Sequence, residues 1–519
     1  MIFSHSCDGL NSIPNWSAYS APFLFSLSLM FENLDIYEKR RKYGIVVAIL
    51  VVVLFLVYFI KLSEGGHDEN LVRLDEEWNI KFRDTNFVVP SVMKFKVFKD
   101  LRVGDSIIYT KKFKENIPES SILRFRTYHS VVHVWMGKKL LYEYGSEAYE
   151  SGELVGNGYH YVNIPPNLKG KKIKISVMIS EKSASNPCSA FEIIHFGKLF
   201  EYFSRHAFSV GIGIFLTLFG LLSILSGLVA MNYSKSFYRL VLIGSLAFLL
   251  GTWTMCYMKV MQVFSMNFAL NTKLEYISLY LMPIPLELLI INMRRNKVGR
   301  KKWFGIVCVF LGNVLFFVVS SVLQFLNVLH YPETLGFFHV YIFVGALYLI
   351  FSGSVYDHRA GLPDKIFTSG IALFAVFALV DVVRYNLQKF YSFDDVIMSS
   401  TWLPIGSLLL ILLLIISYFV YLYDIIMDRT EKEVLKQLAY RDALTGLYNR
   451  AKCDQIFNVL NKGVGDYAIV SIDMNGLKKV NDSFGHTEGD RLICLFAEVF
   501  KKAFSGVGTT IRMGGDEFI

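Results

Sequence analysis

The sequence predicts a multi-domain membrane protein: an outer β-sandwich, an α-helical transmembrane bundle of one plus seven helices, and an α/β segment at the C-terminal end. Three observations carry this. The 519 residues are 53% hydrophobic with a mean hydropathy of +0.41, more apolar than a soluble domain of ordinary composition. Eight charge-poor runs are long enough to cross a hydrocarbon core. Between the first and second run, residues 62–203 change to short stretches of alternating apolar and polar residues, the period of a strand.

Residues 1–43 are expected to be a cytoplasmic N-terminal segment, with Met1 or Met30 as its start. They contain "FLFSLSLM" but lack the charged region and cleavage site of a secretory signal. Residues 44–61 are the expected anchor. Lys39, Arg40, Arg41 and Lys42 precede them, so the positive-inside rule keeps the N-terminus in the cytoplasm. The net charge of +9 sits mostly beside apolar runs, which points to a lipid bilayer and not to nucleic acid as the partner.

Residues 62–203 form the expected extracellular sensor domain. "LRFRTY" and "VVHVW" alternate, and Gly137-Lys138, Pro165-Pro166 and Lys169-Gly170 punctuate the runs, the pattern of an antiparallel sandwich. Trp135, Tyr159 and His160 are either ligand contacts or sandwich packing. The six cysteines (Cys7, Cys188, Cys256, Cys308, Cys453, Cys494) have no zinc-type spacing, and Cys188 stands alone in this domain.

In the seven-transmembrane region, 204–424, crossings are expected at about 207–229, 239–258, 274–292, 304–326, 334–353, 366–386 and 402–424. With the anchor, parity returns the chain to the cytoplasm at 425. The charges agree: Lys235, Arg239 and the run Arg294 to Lys302 fall in loops that parity places inside. Glu287, His339, Asp381 and Arg384 are ionisable groups within the spans, functional candidates by their cost. An i,i+3 pair is the simpler reading of Asp381 and Arg384.

Residues 425–440 are expected to leave the membrane as a linker helix with an apolar stripe of Ile426, Val434, Leu435 and Leu438. The chemistry lies beyond, in "RDALTGLYNR", "YAIVSIDMNGLKKVNDSFGHTEGDRLI" and "TTIRMGGDEFI". "YAIVSID" reads as a buried strand delivering Asp473 to its C-terminal edge, where α/β sites lie. "MNGLKKVND" turns into a helix whose first amides are free for phosphate, with Gly476 allowing close approach. A carboxylate, free amides and lysines suit a Mg²⁺-nucleotide. Asn481 pairs with a base edge through donor and acceptor, and Asp490 accepts from the N–H groups of guanine. Gly514-Gly515 marks a hairpin turn that presents Asp516 and Glu517.

These three elements resemble the GGDEF domain of bacterial diguanylate cyclases, a nucleotide-cyclase-like α/β fold; the signature itself reads "GGDEF" at Gly514–Phe518. The resemblance covers about residues 436–519, and the assigned domain spans 441–519. It implies condensation of two GTP to cyclic di-GMP by a homodimer. It implies Mg²⁺, with Mn²⁺ as a substitute, on Asp473, the Met474 carbonyl and Asp516. Gly476, Leu477 and Lys478 would offer amides to the phosphates, and Gly514 and Gly515 would approach the nucleotide. Asn481 and Asp490 would read guanine. Asp516 would act as base on the attacking hydroxyl, and Glu517 would support a second metal or the phosphate.

Two departures from the family pattern stand out. Ser505 and Gly508 occupy the positions of an Arg-x-x-Asp inhibitory site, so product inhibition through it is not expected. The family's domain also continues beyond the equivalent of Ile519, so the resemblance implies a C-terminally truncated domain whose hairpin has little to pair with. Upstream, the arrangement resembles bacterial seven-transmembrane receptors with diverse intracellular signalling modules, and the sandwich resembles jelly-roll, galactose-binding-like domains. That implies an extracellular small molecule or carbohydrate ligand and a plasma-membrane location. The expected function is a receptor-type diguanylate cyclase; the alternative is a catalytically inactive sensor with a vestigial output domain.

Overall fold

The computed structural model describes residues 72–74, 77–89, 101–181, 188, 191–195, 207–294, 297–351, 361–390, 402–463 and 466–519. The expected N-terminal segment 1–43, the anchor 44–61, the Met30 start and the Arg384 side chain lie outside them. The chain divides into two compact units, one ending at Tyr421 and the other running from Leu422 to Ile519.

The first unit opens with ten strands: β1 (Val72–Arg73), β2 (Trp78–Phe82), β3 (Thr85–Val89), β4 (Ser106–Lys112), β5 (Ser121–Tyr128), β6 (Ser130–Met136), β7 (Lys139–Tyr144), β8 (Asn157–Asn163), β9 (Lys172–Ile179) and β10 (Glu192–His195). A short helix, α1 (Ser146–Glu150), follows β7. One sheet has the order β3-β2-β4-β9-β6-β7 and the other β1-β10-β5-β8, with all pairs antiparallel. Alternation explains β9, whose Ile173, Ile175, Val177 and Ile179 are buried while Lys172 and Lys174 face out. Ile80, Ile107, Val134 and Ile175 of one sheet meet Leu123, Phe125, Val162 and Ile193 of the other in a single core. Phe191 sits at its centre, 4.4 Å from the ring of Trp78 and 5.3 Å from that of Phe125. The turns fall where glycine permits them, at Gly137 between β6 and β7 and at Gly170 before β9.

Strand β5 breaks the alternation: Ile122 and Arg124 are buried although they face away from Leu123, Phe125 and Thr127. Charge-assisted bonding compensates Arg124, which pairs with Glu192 at 2.7 Å and lies 3.9 Å over the Tyr159 ring. Tyr159 therefore packs under an arginine. His160 is fully buried, bonded through Nε2 to Thr127 Oγ1 (2.7 Å) and through Nδ1 to the Tyr142 hydroxyl (2.9 Å). Of the two readings left open for these residues, packing describes both. Trp135 stacks on His133 at 5.3 Å and stays half-exposed.

Seven stretches among the described residues are long and apolar enough to cross a membrane. They contain α2 (Ala207–Ala230), α3 (Tyr238–Tyr257), α4 (Phe268–Leu281) with α5 (Pro283–Arg294), α6 (Arg300–Phe325), α7 (Tyr331–Phe351), α8 (Leu362–Phe390) and α9 (Leu403–Tyr440). The third stretch is split where Pro283 removes an intrahelical N–H donor. Helices α2 and α3 pack closely enough that a Cβ at Gly220 would lie 2.4 Å from the Phe248 nitrogen. The last crossing and the expected linker 425–440 form one helix of 38 residues, about 57 Å long at 1.5 Å per residue. Trp402 and Leu403 donate their N–H groups to the two Asp381 carboxylate oxygens (3.2 and 2.6 Å), so Asp381 caps α9. Glu287 is buried and accepts from Asn313 Nδ2, whereas His339 is exposed.

The sandwich is docked onto the bundle through the free edge of β8. Tyr159 N–H donates to Gln262 Oε1 (3.0 Å), and Gln262 Nε2 donates to the Tyr159 carbonyl (3.2 Å), so this side-chain amide replaces a neighbouring strand. Asn157 N–H donates to Thr272 Oγ1 (3.0 Å), and the Phe268 N–H at the start of α4 donates to the Tyr144 hydroxyl (3.0 Å). Phe268 enters so closely that a Cβ at Gly158 would lie 2.8 Å from its ring.

Candidate nucleotide and metal site

The second unit places the three sequence elements around one small core. Leu447, Leu477, Ile493, Ala497, Phe500 and Phe518 are buried together. The unit contains α10 (Arg450–Leu460), β11 (Ile472–Asp473), α11 (Leu477–Phe484), α12 (His486–Ala503), β12 (Arg512–Gly514) and β13 (Glu517–Phe518). Asn449 caps α10, its side chain accepting from Lys452 N–H at 3.1 Å.

Two expectations are corrected here. The hairpin does close: β13 is the central strand of the order β11-β13-β12, fastened by reciprocal bonds between Ile511 and Ile519 (2.8 and 2.9 Å). Phe518 anchors it, with no exposed surface and its ring 4.7 Å from Phe496. Conversely, "YAIVSID" is not a buried strand along its length. Only Ile472–Asp473 pairs; residues 467–471 have no strand partner among the described residues, and Tyr467, Ile469 and Val470 are exposed.

Pairing brings the acids to one end of the sheet. Asp473 and Glu517 are directly opposed partners, and Met474 N–H donates to the Asp516 carbonyl at 3.0 Å. Opposed like charges disfavour a strand pair, and none of Asp473, Asp516 and Glu517 forms an ion pair among the described residues. A divalent cation fits the chemistry of this donor set. Yet no three His, Cys, Asp or Glu side chains among the described residues converge as a ready-made cage. The carboxylates and the Met474 carbonyl would have to close around the ion.

The expected phosphate side is the start of α11. Gly476 precedes it with φ +87°, and nothing lies within 4 Å of the space where a Cβ would stand. The first-turn amides, including those of Leu477 and Lys478, emerge beside this opening, while the Leu477 side chain is buried in the core and holds the turn in place. α11 and α12 meet closely at Asn481: a Cβ on Gly489, the residue before Asp490, would fall 1.8 Å from Asn481 Oδ1. That oxygen is buried without a partner among the described residues, a vacant acceptor where a base-reading group is expected. Gly514 and Gly515 form the turn, with φ +155° and +55°.

Sequence reasoning assigned no role to Arg512 or Asp442, although both lie in the quoted motifs. Arg512 donates Nη1 to Asp442 Oδ1 (3.0 Å) and both Nε and Nη2 to the Gly515 carbonyl (3.1 and 2.8 Å), tying the first motif to the turn of the third. Thr445 adds its N–H (2.9 Å) and hydroxyl (2.7 Å) to the same Asp442 oxygen. Burial pushes the Asp442 carboxyl up, but these bonds from Thr445 and Arg512 outweigh it and hold it below its ordinary value. The arginine four residues before the acidic pair was the available signal.

Comparison with known proteins agrees with this geometry. Residues 439–519 match the family described as "Diguanylate cyclase, GGDEF domain". The chain is 41% identical over 81 residues to the probable diguanylate cyclase DgcJ of Escherichia coli strain K12, covering 15% of this chain and 16% of that protein. It is 31% identical over 104 residues to the diguanylate cyclase DgcM of the same organism, 19% and 25% of the two chains. It is also 35% identical over 89 residues to the cyclic di-GMP phosphodiesterase NbdA of Pseudomonas aeruginosa, 16% and 11% of the two chains. The chain spans a quarter or less of the length of these relatives. Residues 439–519 are a GGDEF domain, in a chain with seven long apolar helices and a sheet-rich region before them.

Proposed function

We propose that the chain is a receptor-type diguanylate cyclase of the bacterial plasma membrane, condensing two GTP into cyclic di-GMP in response to a signal outside the cell. The observation that carries this reading is the joint placement of Asp473, Asp516 and Glu517 at one sheet end beside the open start of α11. In this reading Asp473, Asp516 and the Met474 carbonyl hold Mg²⁺ or Mn²⁺, which neutralises phosphate charge when bound. The Gly476, Leu477 and Lys478 amides bind the phosphates, with Gly514 and Gly515 giving the nucleotide room. Asn481 and Asp490 orient guanine. Asp516 accepts the proton of the 3′-hydroxyl that attacks the α-phosphate of the GTP held by a second copy, and diphosphate leaves. Glu517 supports the phosphate side.

Homodimerisation along α9 would align the two GTP molecules, and the exposed stripe of Ile426, Val434, Leu435 and Leu438 supports that reading. The sandwich, of jelly-roll type, would lie outside the cell and take a small molecule or carbohydrate. The test is the full chain in lipid nanodiscs with GTP and Mg²⁺, following cyclic di-GMP. Formation that disappears in Asp473→Ala is expected; unchanged output in that variant would remove the metal assignment.

A further inference from the structure

We infer that the helical bundle binds a proton, held between Glu287 of α5 and Asn313 of α6 and closing the two side chains into a ring of two hydrogen bonds. Both residues lie inside stretches long and apolar enough to cross a membrane. Asn313 stands near the middle of α6, a helix of 26 residues. Glu287 is 5% exposed and Asn313 1%, so neither reaches solvent.

Asn313 Nδ2 donates to Glu287 Oε1. That bond joins two planar groups at one end and leaves Oε2 and Asn313 Oδ1 as the remaining pair. Both of these oxygens are buried, with no hydrogen-bond partner among the described residues. With Glu287 ionised, both are acceptors and neither has a donor. One proton on Oε2 changes this. The carboxyl then donates to Oδ1 while it accepts from Nδ2, so a single hydrogen satisfies two buried oxygens. Exchanging the nitrogen and oxygen of the Asn313 amide leaves the count the same, because the pair still lacks one donor.

The surroundings supply no substitute for that proton. Glu287 forms no ion pair among the described residues. Arg294, two turns further along α5, pairs with Asp364 at 3.8 Å. On α3, Arg239 donates Nε to Asn292 Oδ1 at 2.9 Å, and Glu275 of α4 is paired with Lys259 at 2.7 Å. Tyr341 of α7 donates its hydroxyl to the Val309 carbonyl at 2.6 Å, and Cys308 of α6 is exposed. A metal ion would require more oxygen ligands than these two, and no three His, Cys, Asp or Glu side chains converge among the described residues. An isolated carboxylate inside a bilayer is costly, whereas a neutral acid bonded at both oxygens is not. The second bond between α5 and α6 exists only while the proton is held.

Infrared difference spectroscopy of the full chain in lipid nanodiscs, wild type against E287Q at neutral pH, tests this. A carboxylic-acid C=O band that is lost in E287Q is expected; loss of a carboxylate band in its place would overturn the proposal. Melting temperature gives a second reading. In E287Q the new amide donates to Asn313 Oδ1 and its carbonyl accepts from Nδ2, so it is expected to melt within about 2 °C of wild type. N313L, which conserves volume and removes the partner, is expected to melt about 5 °C lower. Exchange of sodium for N-methylglucamine in the buffer is expected to leave the wild-type value unchanged. A loss in E287Q as large as in N313L would overturn the proposal, as would a melting temperature that follows sodium.

Discussion

His160 in the sandwich and Asn481 in the GGDEF domain are both polar side chains placed against tightly packed neighbours, yet they end differently. Both ring nitrogens of His160 are bonded, and aromatic rings enclose it. The Asn481 carbonyl oxygen is buried and bonded to nothing among the described residues. A second contrast is between Arg124, paired with Glu192, and Asp473, which faces the like-charged Glu517 and forms no ion pair among the described residues. In the sandwich, His160 and the Arg124–Glu192 pair are consumed by structure, although His129 Nδ1 and Asn157 Oδ1 are buried there with no hydrogen-bond partner among the described residues. In the GGDEF domain the leftover acceptor is Asn481 Oδ1, at the position proposed to read a base.

The sharpest way to break this contrast is to remove a leftover group. Asp473→Ala should lower cyclic di-GMP formation by about a hundredfold or more. Its melting temperature should stay near wild type, because the residue is exposed and unpaired among the described residues. A large loss of stability instead would make Asp473 a structural residue.

Removing space at the junction should do the reverse. Gly158→Ala forces a Cβ to 2.8 Å from the Phe268 ring and should cost about 1–3 kcal/mol, read by thermal unfolding in nanodiscs. The chemistry measured on GTP should then change less than with Asp473→Ala. Asp442→Asn lies between the two classes, since Asp442 braces the site without belonging to it. It should cost about 1–2 kcal/mol of domain stability at neutral pH. The low Asp442 carboxyl contributes stability above its unfolded value of 3.8 that is lost as pH falls through the folded value. The variant's deficit should therefore vanish in acid.

A further expected effect is the pH profile of the sandwich. Burial pushes His160 and His129 down to about 3, from 6.5. The unfolded chain then binds more protons between those values, so stability should fall as pH drops through that window. His330 works the other way. Its hydrogen bond to Glu181 raises it, so its contribution is present below 6.5 and lost as pH rises through the folded value. His330→Asn should flatten only the alkaline side of the profile, measured by melting temperature against pH.

Much of this was visible in residue patterns. Period-two alternation located β5, β6 and β9, because one face of each meets the core. Apolar length located the seven stretches, because a bilayer core demands about 20 residues. The "GGDEF" turn and Asp473 were visible because phosphate and metal chemistry restricts residue type. Less visible were contacts between distant segments. No local signal announced that Gln262 stands in for a strand beside β8, or that Asp381 caps α9.

By itself, then, the sequence determined the kinds of layer, the apolar stretches and the identity of the output domain, all of which depend on short-range period or on a compact motif. Only the tertiary structure decided which polar residues are spent and which remain available. Whether His160 is packing or ligand contact and whether Arg512 braces Asp442 depend on partners 33 and 70 positions away. Burial and hydrogen-bond satisfaction are properties of those long-range neighbours, and a residue's own type does not carry them.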